Sequence, residues 1–330
     1  MSASFNQPHT SPVPECREVG SEPATDSLPR RWWHDFAPQG VFWRRFVDWA
    51  AGNVPAFFHP VLIWASSAVF FLIASSPRKA VLQNLRVVLP GSSLLVNCFR
   101  VVRIFANFGW ALADAAVYKV RRHPFRYDLT GEKFLIQLAR AKGGVVLTAH
   151  MGNYDLAAAL FAEKFNRQIR MVRAPEPDAL SAQHVGLSLQ ESSAGGVRVD
   201  YSNNGASLAF DLLNALRDGE IISIQGDRVI GEVARALVTF FGHKVLLPTG
   251  PFVLSIVSET PIYPLFMVRT GYRRYKIIAH QPITCLGQGS REEQVAAAMR
   301  DWARLLEDNV GLYWRQWYAF VPIFGTAPGV

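Results

Sequence analysis

Two side chains able to exchange protons stand close together in the stretch VVLTAHMGNYDL (145–156): His150 and Asp155. Histidine titrates near neutrality, so it can take a proton from a hydroxyl and pass it to a leaving group. A carboxylate on the other ring nitrogen fixes the tautomer and stabilises the imidazolium. General-base help of this kind is worth ~10²–10⁴-fold in rate. The local pattern places the pair at a corner. Val145, Val146 and Leu147 form an apolar run led in by Gly143-Gly144, which predicts a buried strand. Leu156, Leu160, Phe161 and Phe165 then recur at helical spacing. Such strand-to-helix corners are where open α/β sheets place ligands, and the helix start supplies N–H groups for an oxyanion. Residue types alone also allow a hydrogen-bonded histidine at a strand end and a first-turn acid favoured by the helix dipole.

Other chemistries find less support. G-x-S-x-G is absent, so the nucleophile elbow of an α/β serine hydrolase is missing. No Ser or Cys lies beside His150 in its motif, and Thr148 is not assigned as a nucleophile. The eight histidines show no H-x-x-x-H or H-E-x-x-H pairing, and Cys16, Cys98 and Cys285 are isolated. Neither a metal site nor a disulfide framework is expected.

The elements that must position the pair come from a chain of 330 residues, long enough for a sizeable core. Half of it is hydrophobic and 18% is charged, which is apolar for a soluble protein. A net charge of +8 suggests an anionic partner: membrane phospholipid, an acidic carrier protein or nucleic acid. Nucleic acid fits worst, because the basic residues are scattered and no binding module appears.

Residues 1–30 are rich in Ser, Pro, Glu and Thr and are expected to be a disordered tail, not a secretory signal. Residues 31–77 change character. Trp32, Trp33, Trp43 and Trp49 alternate with Arg30, Arg31, Arg44 and Arg45, a pairing suited to a bilayer interface. Residues 54–76 then carry His59 as their only titratable group. This stretch reads as a membrane span, an embedded hairpin or a buried core helix. Residues 78–322 hold the rest of the pattern. Helices are expected over 99–120, 134–140, 208–216, 249–258 and 292–310. Strands are expected over 168–173, 197–201, 220–225 and 237–242, with a hairpin of 261–268 and 275–281.

The form AHMGNYD resembles the H-x4-D motif of the lysophospholipid acyltransferase superfamily, nearest to its lipid A biosynthesis acyltransferases. Their pattern H-x-G-N-W/Y-E/D is met by His150, Gly152, Asn153, Tyr154 and Asp155. Arg78, Asn84, Leu85, Arg86 and Pro90 resemble the R-x5-N-L-R-x3-P segment before the family's catalytic region. Arg173, with Pro175 after it, resembles the arginine closing a neighbouring strand. Asp227-Arg228 resembles the second block, though the usual lipid A enzymes carry Asp-Gln there. Gln316-Trp317 and Phe320 partly match the family's P-x-Q-W-x-x-F tail.

The resemblance implies an α/β acyltransferase fold, with a mixed central sheet flanked by helices and an N-terminal membrane-associated segment. It implies acyl transfer from a thioester, on acyl carrier protein or coenzyme A, to a lipid or glycolipid acceptor such as a lipid A precursor. His150 is then the base and Asp155 the group that orients it. Gly152, Asn153, Arg173, Asp227 and Arg228 line the substrate site, with Arg228 suited to a phosphate or carrier phosphopantetheine. No cofactor beyond the thioester co-substrate is implied. The expected location is the inner membrane of a bacterium, catalytic face to the cytoplasm. A non-catalytic lipid-binding protein on the same fold is the alternative.

Overall fold

The computed structural model describes residues 41–176, 178–231, 233–285 and 289–325. The expected tail 1–30, Arg30, Arg31, Trp32, Trp33 and the Trp43 side chain lie outside what is described.

Nine strands form. They are β1 (Arg126–Thr130), β2 (Gly144–Thr148), β3 (Ile169–Arg173), β4 (Val197–Tyr201), β5 (Ile221–Gln225), β6 (Arg235–Phe240), β7 (His243–Pro248), β8 (Ile262–Gly271) and β9 (Arg274–Ala279). Seven make one sheet in the order β1-β9-β8-β2-β5-β3-β4. The run from β8 to β4 is parallel, the hairpin β8–β9 turns antiparallel, and β1 lies parallel to β9, so the sheet is mixed. Parallel strands are covered on both faces, which is why β2 and β5 read as continuous apolar runs (GVVLT, IISIQ). Alternation along β2 sends Val145 and Leu147 to one face and Val146 and Thr148 to the other. The first face packs on α8 (Gly205–Arg217), α9 (Gly250–Ser258) and α10 (Arg291–Tyr313). The second packs on α5 (Glu132–Arg140), α6 (Tyr154–Phe165) and α7 (Ala179–Ser192).

The stretch 54–76 is not one helix. A short 3-10 turn, Ala56–Phe58, leads into α2 (His59–Ile73), and a break at Ala74 separates α2 from α3 (Ser75–Val88). Arg78 closes α2 by donating to the carbonyls of Phe71 and Leu72. At 15 residues α2 is ~22 Å long, short of the ~30 Å hydrocarbon core of a bilayer. It lies along α4 (Leu94–Arg121), where Ile63 meets Gly109, and turns Val61, Leu62, Val69, Leu72 and Ile73 outward. The helix α1 (Val41–Asn53) packs on α4 as well.

The strand expected over 237–242 is the first arm of a hairpin. Phe241 and Gly242 both have positive φ (48° and 75°), the turn that suits the strands' right-handed twist, and β7 returns antiparallel to β6.

Candidate active site

Strand register builds the site. Thr148 at the end of β2 is paired with Gln225 at the end of β5. Two residues beyond each end, His150 and Asp227 therefore stand side by side. His150 Nδ1 lies 2.7 Å from Asp227 Oδ1, and the His150 backbone N–H donates to the same oxygen at 3.2 Å. Gly226 permits this closeness. A Cβ there would sit 2.7 Å from Leu147 Cδ1, and its carbonyl accepts the Trp302 indole N–H at 2.9 Å.

The expectation that Asp155 orients His150 is corrected by this geometry. Asp155 lies in the first turn of α6 and accepts from Arg173 Nη1 at 2.7 Å, while Asp227 takes the imidazole. The reason is strand order: β5 neighbours β2, so its loop reaches the histidine first. Arg173 also faces Glu176 at 3.9 Å, and Glu176 accepts from Arg44 of α1 at 3.2 Å. Arg173, Tyr154 and His150 are contiguous, with the guanidinium 5.9 Å above the Tyr154 ring and the imidazole edge-on to that ring at 5.6 Å.

Gly152 and Asn153, expected among substrate-binding residues, are held inside the protein. Gly152 has φ +61°, and a Cβ there would lie 1.7 Å from the Met267 carbonyl oxygen. Only glycine lets the chain cross β8 at this height. Its N–H donates to the Gln316 carbonyl at 2.9 Å. Asn153 is 4% exposed and uses its whole side chain: Oδ1 caps α6 by accepting from Leu156 N, and Nδ2 donates to the Ala111 carbonyl of α4. Its backbone N–H donates to the Met267 carbonyl at 3.0 Å. Tyr275 completes this floor, donating to the buried Asp114 carboxylate at 2.6 Å.

The chain from Gln316 to Phe320 closes the site, a role that the sequence reading missed. Tyr318 N donates to the His150 carbonyl at 2.8 Å, and Met151 bridges to Trp317 in antiparallel fashion. Trp317 Nε1 donates to Asp227 Oδ2 at 3.0 Å, and Arg228 Nη1 donates to the Tyr318 carbonyl at 2.7 Å. Asn84 of α3 secures the same segment, donating to the carbonyls of Ala319 and Val321 and accepting from Ile323 N. The signal was present in the Gln-Trp pair, but neither residue carries chemistry of its own.

Electrostatics divide the pair into acid and base. Burial pushes the Asp227 carboxyl up, but the imidazole beside it, Arg228 and the Trp317 N–H outweigh that and hold it well below the usual carboxylate range. Burial pushes His150 down from 6.5, with help from Arg228 and Arg173, against the pull of Asp227. The neutral imidazole then donates Nδ1–H to an ionised carboxylate, which leaves Nε2 basic. Two buried donors of the site, Gln225 Nε2 and Arg228 Nε, have no acceptor among the described residues. No three His, Cys, Asp or Glu side chains converge as metal ligands among the described residues.

Beside the dyad a cleft of about 740 Å³, part of it open to solvent, runs under α6 against the sheet. Thr148 and Tyr154, whose ring meets the His150 imidazole, line it together with Leu138, Ala158, Phe161 and Ile169.

A mixed seven-stranded sheet flanked by helices, with a histidine–aspartate pair at parallel strand ends, defines an α/β fold of the acyltransferase kind. The chain matches the family of bacterial lipid A biosynthesis acyltransferases over residues 39–326, and belongs to it. It is an acyltransferase of that type. No curated protein matches it significantly.

Proposed function

We propose that this acyltransferase moves a fatty acyl chain from a thioester, on acyl carrier protein or coenzyme A, to a hydroxyl or amine of a lipid or glycolipid such as a lipid A precursor. The observation that carries this is the His150–Asp227 pair, with the imidazole packed on Tyr154, a residue that lines an apolar cleft. His150 Nε2 takes the acceptor proton as its oxygen or nitrogen attacks the thioester carbonyl. The carbonyl oxygen gains negative charge, and the first turn of α6 and Arg173 stabilise it. The intermediate collapses by expelling the thiolate, which recovers the proton from His150. Asp227 stays ionised throughout and steadies the imidazolium. No acyl-enzyme is needed. Arg228 Nε and Gln225 Nε2 are donors suited to the phosphopantetheine arm or to a phosphate on the acceptor.

Membrane attachment is part of the same reading. By length and composition the apolar stretches Ala56–Ile73 and Leu94–Arg121 are candidates for a membrane span, the first only when the 3-10 turn Ala56–Phe58 is counted with α2. Yet α4 is tied through its core to the catalytic turn, and α2 falls short of a span. The exposed face of α2 and the exposed Leu94, Leu95 and Phe99 at the start of α4 suit a seat in one leaflet. The leaflet proposed is the cytoplasmic one of a bacterial inner membrane, where thioester donors are made.

The test is thioester cleavage by purified protein in detergent with acyl-carrier and coenzyme A donors, beside His150→Ala. Turnover that requires a lipid acceptor and disappears in the variant supports the proposal and names the donor. Equal, slow cleavage by both proteins overturns it in favour of lipid binding without catalysis.

A further inference from the structure

We propose that Trp317 is a positioning residue of this site: its indole N–H holds the far oxygen of Asp227, so that His150 keeps its proton on Nδ1 and presents a bare Nε2. This rests on the acyl-transfer reading above.

The two oxygens of Asp227 have different duties. Oδ1 takes both donors of His150, ring and backbone, at 2.7 and 3.2 Å. Oδ2 takes the Trp317 indole N–H at 3.0 Å. An indole nitrogen donates and never accepts. It therefore favours an unprotonated Oδ2, whereas a hydroxyl or amide in its place could turn and accept a proton from a neutral acid. Asp227 is fully buried, so the cost of its charge falls on these few donors.

The backbone of the same residue fixes the other partner. Met151 pairs with Trp317 across a β-bridge, and the flanking residues bond to the carbonyl of His150 and the N–H of Gly152. Trp317 is itself 4% exposed, with Phe240 edge-on to its ring at 5.9 Å. One residue thus spans the loops after β2 and β5, by its backbone on the first and its indole on the second, and sets the spacing between base and carboxylate.

The experiment compares the full-length protein with Trp317→Phe and with 3-benzothienylalanine at position 317, which keeps the bicyclic shape and puts sulfur in place of N–H. Two readouts are taken: the pH profile of thioester turnover, and the His150 pKa from ring nitrogen NMR signals. Losing one hydrogen bond to a charged group predicts a fall in kcat of about ten- to a hundredfold with KM within about twofold. A carboxylate stripped of a donor becomes more basic and pulls harder on Nδ1–H. The acid limb and the NMR pKa should both move to higher pH. The other charges facing His150 (Arg228, Arg173, Asp155 and the phenols of Tyr154 and Tyr318) are unchanged between the proteins. A benzothienyl variant with wild-type kcat, or one whose kcat falls while the limb and His150 pKa stay fixed, overturns the proposal and leaves Trp317 as packing. If the wild type shows no turnover dependent on His150, the acyl-transfer reading fails instead, and the NMR pKa still decides the role of Trp317.

Discussion

Arg173 Nη1 donates to Asp155 Oδ1 over 2.7 Å, and this commits the carboxylate of the H-x4-D motif to a cation and not to the histidine. The two acids near His150 should then fail differently. Asp227→Asn should lower kcat by ~10³–10⁴-fold, because an amide permits the wrong imidazole tautomer. Asp155→Asn should cost only ~10-fold in kcat, since it loosens Arg173, the cation proposed to face the oxyanion, without touching the base. Steady-state kinetics of both variants check this, and equal losses in kcat would contradict it.

The pH dependence follows from the depressed His150. With His150 as the proposed base, active when neutral, the acid limb of kcat/KM should lie below the ordinary histidine value of 6.5. Arg228 pushes the imidazole down, so Arg228→Met should move that limb to higher pH. Stability has the same sense. A histidine whose folded pKa lies below its unfolded value costs stability as pH falls from about 6.5 toward the folded pKa. The depressed Asp227 contributes stability at neutral pH that is lost only on acidification below the ordinary carboxylate range.

Gly152→Ala should be among the most damaging single changes to the fold. Its Cβ would meet the Met267 carbonyl at 1.7 Å, and the backbone of β8 cannot give way cheaply. A loss beyond ~4 kcal/mol is expected by denaturant titration in detergent. The control is Gly186→Ala in α7, where a new Cβ meets nothing within 4 Å. It should stabilise by ~0.5–1 kcal/mol.

Ala158 is buried on the inner side of α6 and lines the cleft. Ala158→Phe should fill the cleft and shift preference toward shorter acyl donors, read as the ratio of kcat/KM for long and short thioesters. An unchanged ratio would place the acyl chain elsewhere.

The central strands were legible because a strand buried between parallel neighbours must be apolar throughout. Residues 197–201 came out of the sequence at their full extent, and β2, β3 and β5 to within a residue. Of the two edge strands, β4 was read because Val197 and Val199 mark its inner side, but β1 (RYDLT) is mostly exposed and carries no apolar run, so it was missed. The helix α7 was missed for a related reason, since its Ser, Gln and Gly residues blur any stripe. His150 was found from its local motif, but its partner was not. Asp227 becomes the partner only once β5 lies beside β2 with Thr148 opposite Gln225, and that pairing is a tertiary fact. The roles of Gly152 and Asn153 were hidden in the same way, because Met267 and Ala111 lie far off in sequence.

The segment from Gln316 to Phe320 has a consequence for how activity is lost. It joins parts of the chain 47 to 235 residues away in sequence, while the sheet beneath is stitched by its own ladders. Its release is a local opening that need not melt the sheet. Water would then reach Asp227, and the imidazole would lose its fixed tautomer while every strand stayed paired. Mild heating or low denaturant should therefore silence the enzyme before its circular dichroism changes, and cooling should restore it.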